Sequence, residues 1–191
     1  MEKYISKKEK ASYGFAAVGS YMVAGITQSY LMYFFTDILI IPSAFVMMLM
    51  IVARAWDALN DPMMGVIVDR TSTKYGKMRP YVLIGSFLML VTTIVLFMPL
   101  TGAPTMFKMI FAAVSYIIFG MAYTLTDVPA MGLMSVATPN SDERASLLSF
   151  YVTVGSVGSL LPVGLLTIFQ SFIPEKYVYF AMSIFVGIIT S

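Results

Sequence analysis

Residues 44–68 read AFVMMLMIVARAWDALNDPMMGVIV. Crossing the hydrocarbon core takes about 20 predominantly apolar residues, and this run is long enough. Its apolar residues are continuous, whereas a barrel strand would alternate in polarity at every second residue. In lipid every backbone polar group must be satisfied internally, by a helix or a closed barrel, so the run reads as a membrane helix. Yet Arg54, Asp57 and Asp61 sit inside it. Ionisable residues within a span are costly and mark function by default.

Working outward, residues 11–36 are charge-free and form a first span, followed by a turn around Asp37 and Pro42. Beyond the quoted helix, residues 69–79 are polar and basic. A third span covers 81–100 and closes on Thr101, Gly102, Ala103 and Pro104. The fourth, 109–136, holds one charge, Asp127. After a polar turn at 138–144 the fifth covers 146–172, and a sixth opens at Tyr177 and runs to Ser191, short of a full crossing. The expectation is an all-α membrane protein, one six-helix bundle over residues 1–191 truncated in helix six.

Composition agrees. The 191 residues are 59% hydrophobic and 12% charged, with a mean hydropathy of +0.83, whereas soluble domains carry roughly 25% charged residues. A net charge of +2 gives no reason to expect nucleic acid or an acidic partner. The absence of cysteine and histidine removes disulfides and imidazole chemistry. The first apolar stretch is too long for a signal-peptide core and lacks a cleavage site. Cytoplasmic loops are enriched in Lys and Arg. Nine basic residues (Lys3, Lys7, Lys8, Lys10, Arg70, Lys74, Lys77, Arg79 and Arg144) fall on the amino-terminal side, against Lys108 and Lys176 on the other. The expectation is a multi-pass protein of the cytoplasmic membrane with its amino terminus inside.

At 100° per residue Arg54, Asp57 and Asp61 lie within about 60° of one another on one face. Two carboxylates one turn apart, with Asn60 beside them, supply hard oxygen ligands for a small cation or a proton. Pro62 has no N–H, which frees the Ala58 carbonyl, and broken helical carbonyls near the midplane complete cation sites in transporters. Arg54 also reads as a structural counter-ion, although one guanidinium cannot neutralise two aspartates. In the fourth helix Gly120, Thr124, Asp127 and Met131 share a face with Tyr123 at its edge. Asp127 reads as a polar substrate contact and Thr124 as a cation ligand or a back-bond to its own helix. In the first helix Gly14, Ala17, Tyr21, Gly25 and Gln28 form a stripe. The glycines suit close packing, and Tyr21 and Gln28 suit the wall of a polar cavity. The other aromatics and the 17 methionines read as packing or lipid-facing residues.

The run from Arg54 to Gly65, followed by Asp69-Arg70 and Lys74-Tyr-Gly-Lys-Met-Arg-Pro80, resembles the glycoside–pentoside–hexuronide:cation symporters of the major facilitator superfamily. Ser12-Tyr-Gly-Phe15, Tyr30-Leu-Met-Tyr-Phe-Phe-Thr-Asp37 and Gly120-Met-Ala-Tyr-Thr-Leu-Thr-Asp-Val-Pro129 support it. The resemblance implies the amino-terminal half of a twelve-helix fold, with a carboxy-terminal six-helix half as partner. It implies cation-coupled symport of a sugar or glycoside, with no enzymatic activity and no cofactor beyond a coupling ion, Na⁺, Li⁺ or H⁺. It places Asp57, Asn60, Asp61 and Thr124 at the cation site, with Asp57 and Asp61 as metal ligands where the ion is Na⁺. Asp127 and Tyr123 fall at the sugar contact, with Tyr21 and Met131 beside it. The sequence departs from melibiose-permease-like members at Ser20-Tyr21, Met131 and Val152, where they carry a Lys-Asp pair, a tryptophan and an arginine. A different sugar, a glycoside or even an amphipathic substrate is therefore expected. Two competing readings are a homodimerising six-helix half, serving as transporter or scaffold, and an intramembrane aspartyl hydrolase using Asp61 and Asp127. The hydrolase leaves Asp57 without a role.

Overall fold

Ser6 starts the first helix. Its hydroxyl accepts from the Glu9 N–H at 3.2 Å, while the Glu9 carboxylate accepts from the Ser6 N–H at 2.8 Å, a reciprocal capping box. The Ser6 backbone and then its hydroxyl hold the Glu9 carboxyl below the usual carboxylate range. The computed structural model describes residues 4–190, and among them the regular structure is entirely helical: α1 Lys7–Tyr33, a π-helical segment Phe34–Ile38, α2 Ser43–Arg70, α3 Arg79–Leu96, α4 Thr105–Val136, α5 Ser141–Gln170 and α6 Glu175–Thr190.

Several helices run past the apolar stretches that announce them, because polar caps lie beyond the apolar core. α1 reaches back to Lys7 through its capping box, and α5 begins at Ser141 because the Asn140 side chain accepts from the N–H groups of Asp142 and Glu143. α4 begins at Thr105, four residues before the expected start, with Pro104 at its N-cap position. α3, by contrast, stops at Leu96, and residues 97–100 turn out of the helix. Lys108, counted among the loop charges, lies inside α4 and is buried.

α2, α3, α4 and α5 are long and apolar enough to cross a membrane by length and composition. The first helix is 27 residues long but rich in Gly, Ser and Tyr, and α6 has 16 residues in its described length. The small residues of α1 serve packing. α1 lies along α5, and a Cβ at Gly25 would collide with the Ser159 carbonyl. A Cβ at Gly158 would lie 2.8 Å from the Val18 carbonyl oxygen. The two backbones therefore touch, as small residues at membrane helix crossings allow.

α4 packs between α2 and α3, while α6 contacts α1, α3 and α5. α1 and α4 do not pack closely on each other. One apolar core, including Phe34, Phe97, Met89 and Met182, fills the end of the bundle remote from the start of α1. A second, of Ala17, Met134, Leu147 and Tyr151, fills the near end. Between α1 on one side and α2 and α4 on the other, the bundle is hollow.

Candidate functional site

The hollow is a cavity of about 570 Å³. α1 supplies Ala24, Thr27, Gln28 and Leu31 to its wall. α2 supplies Arg54, Trp56, Asp57 and Asp61, and α4 adds Tyr116, Gly120, Tyr123, Thr124 and Asp127. Helical periodicity accounts for the last set, because residues 116, 120, 123, 124 and 127 follow one face at spacings of three and four.

The α2–α4 seam holds the most specific geometry. The Thr124 hydroxyl donates to the Asp61 carboxylate at 2.8 Å. One turn along α2, Asp57 lies against the α4 backbone at Gly120, where an added Cβ would sit 3.1 Å from its Oδ1. A glycine there lets the carboxylate approach the helix. Arg54 stands off, its Nη1 3.9 Å from Asp57 Oδ2 and its side chain 71% exposed. At that separation an exposed pair is worth about 0–1 kcal/mol, so Arg54 does not consume Asp57. Two carboxylates and a hydroxyl from two helices thus face one space. Oxygen donors of this kind suit a hard cation or a proton. Among the described residues, no three acidic or histidine side chains converge as a metal cluster.

Asp127 is half-buried, just over one turn past Tyr123 on α4 and in the electrostatic range of Asp61. The salt bridge found among the described residues is that of Arg54 with Asp57, so Asp127 stands without a basic partner at ion-pair distance. The Tyr21, Tyr123 and Tyr151 hydroxyls lie within its field.

Five of the candidate residues, Asp57, Asp61, Tyr123, Thr124 and Asp127, therefore line one cavity, and three do not. Asn60 is about 100° around α2 from Asp61, as successive residues must be, and turns off the wall. Tyr21 packs edge-on to Tyr151, ring centroids 6.0 Å apart, over the bare backbone of Gly155. Met131 is one turn beyond Asp127 and joins the near-end core. Conversely, Trp56 and Tyr116, read as packing or lipid-facing aromatics, line the cavity. Tyr116 was legible as the residue one turn before Gly120 on the same stripe. Nothing in the helical pattern marked Trp56, which lies about 100° around α2 from Asp57.

Residues 12–191 match the family described as MFS/sugar transport protein. The chain belongs to that family. It is 37% identical to the symporter YjmB of Bacillus subtilis over 161 residues, 83% of this chain and 35% of the relative. It is 35% identical to the inner membrane symporter YicJ of Escherichia coli, over 82% of this chain and 34% of the relative. To the isoprimeverose transporter of Lactiplantibacillus pentosus it is 30% identical, over 80% of this chain and 32% of the relative. The chain spans about a third of the length of these relatives. Membership in the MFS/sugar transport family agrees with the resemblance carried by the α2 and α4 motifs. These relatives are transporters rather than enzymes, which removes the aspartyl hydrolase reading.

Proposed function

We propose that the protein containing this chain couples the movement of a sugar or glycoside to that of Na⁺, Li⁺ or H⁺ across the cytoplasmic membrane. The observation that carries the proposal is the α2–α4 seam, where Asp57, Asp61 and the Thr124 hydroxyl meet at the edge of a cavity shared with α1. A cation at the seam touches both α2 and α4, so its binding fixes the relation of two of the three cavity walls. The sugar then occupies the cavity between Gln28 and Thr27 on α1 and Tyr123 and Asp127 on α4. Binding sites combine aromatic surface with a few placed polar groups, and Trp56, Tyr116 and Tyr123 give the aromatic faces here. The names of the relatives support a sugar cargo, the isoprimeverose transporter most directly.

The Lys and Arg distribution supports a cytoplasmic amino terminus. Arg54 and Asp61 are exposed in the bundle, which supports a second bundle, from the rest of the protein, closing the cavity.

The test is uptake of a panel of radiolabelled neutral pentosides and hexosides under imposed Na⁺, Li⁺ or H⁺ gradients. The wild-type protein should accumulate a member of the panel above equilibrium only with a gradient, and Asp57→Asn and Asp61→Asn should lose accumulation. Accumulation by both variants equal to wild type overturns the cation assignment.

A further inference from the structure

Three unusual features converge where α1 ends. The helix loosens into the π-helical turn Phe34–Ile38. Ile40 then adopts a φ of +57°, a left-handed conformation that is a genuine outlier for a β-branched residue. Between them the Leu39 carbonyl accepts from the ammonium of Lys108 at 2.6 Å, in a bond buried from solvent. Lys108 itself is 6% exposed, whereas Ile40 is 73% exposed. Single π turns and strained backbone both recur at functional positions. Such strain persists only where its surroundings hold it.

The holding group is identifiable. Leu39 and Ile41 are anchored in the far-end core on either side of Ile40, and the carbonyl at the helix end is capped by a cation, the favourable sign for that terminus. Lys108 belongs to α4, and α4 does not otherwise pack closely on α1. The cavity lies between those two helices, with Leu31 of its wall one short step along α1 from the π turn.

We propose that Lys108 is a positioning residue for the cavity: by capping the strained turn at Leu39 and Ile40 it fixes the α1 wall against the α4 wall. It touches neither candidate ligand site and acts through α1. The inference rests on the cavity being the binding site proposed above. Its test reads cavity geometry alone and needs no substrate, so the two can fail separately.

Single reporters can be placed in the full-length transporter at Ala24 on the α1 wall and Ile117 on the α4 wall, with any cysteine outside these cysteine-free 191 residues replaced by serine, and their rates of reaction with N-ethylmaleimide measured. Lys108→Met should change the rate at Ala24→Cys about fivefold or more and leave Ile117→Cys within about twofold. Lys108→Arg, which keeps a donor and a charge, should keep the wild-type rate. Ile40→Gly removes the strain, because glycine adopts positive φ freely. Added to Lys108→Met, it should restore the Ala24→Cys rate or, where Lys108→Met alone fails to fold, restore a monodisperse protein. An unchanged rate in Lys108→Met, an equal change at both reporters, or no rescue by Ile40→Gly overturns the proposal.

Discussion

Thr124 and Asp61 sit 2.8 Å apart on different helices, so removing the hydroxyl tests the seam without removing a charge. A hydrogen bond to a charged group is worth about 1.5–3 kcal/mol, and about 1.4 kcal/mol is tenfold in an equilibrium constant. Thr124→Ala should therefore raise the activating cation concentration by about 10- to 100-fold, while Thr124→Ser stays within a few-fold of wild type. Equal behaviour of Ala and Ser in a cation titration of uptake would show that the hydroxyl is structural only. Gly120 makes a second, sharper test. The atom that a Cβ at 120 would crowd is the far end of the Asp57 side chain, which can rotate away. Gly120→Ala should thus keep the fold and its melting temperature, yet shift Asp57 and weaken cation activation. A large loss of thermal stability with unaltered coupling contradicts this account.

At the scale of elements, the α1–α5 contact is the one that tolerates least. Gly25 faces the backbone of Ser159 rather than a side chain that can turn, so Gly25→Val forces the helices apart. Overpacking costs typically about 1–3 kcal/mol, and a backbone clash belongs at the upper end. Gly65, on α2, has open space around its missing Cβ, and Gly65→Ala should leave the melting temperature in detergent unchanged or raised. If Gly25→Val melts no lower than Gly65→Ala, the packing assignment is wrong. The glycine stripe of α1 and the polar face of α4 were legible because 3.6-residue periodicity collects them without knowledge of the partner helix. Tyr21 was not, since its ring follows Gly155 of α5 and that pairing depends on tertiary packing. The caps at Ser6 and Asn140 carry no hydropathy signal, because hydropathy marks the apolar part of a helix and these residues lie beyond it. Lys108 is the opposite case: its charge suggests a loop, and a single carbonyl partner places it inside.

For the whole molecule, orientation is the first prediction. In a background whose only cysteine is the introduced one, Ser72→Cys in the exposed α2–α3 connection should react with impermeant maleimides only from the cytoplasm, and labelling in intact cells would reverse the assigned topology. The second concerns the 191 residues expressed alone. Four apolar helices, with a basic α2–α3 connection, contain what insertion requires, so the chain should enter the membrane unaided. Transport requires more, because alternating access is largely a rocking of one bundle against another around a fixed site. In the isolated bundle Asp61 and Arg54 are exposed on the open side of the cavity. A central aspartate costs about 2.5–3.5 kcal/mol against lipid on insertion scales, so that side gains by meeting another protein surface. The chain alone should therefore run as oligomers in mild detergent, and proteoliposomes carrying it should show no gradient-driven uptake of the glycoside panel. Asp61→Leu together with Arg54→Leu, which makes the open side apolar, should shift the population toward monomer. Gradient-driven uptake by the isolated wild-type chain would revive the homodimeric half-transporter. Oligomers that persist in the double variant would place self-association on another face of the bundle.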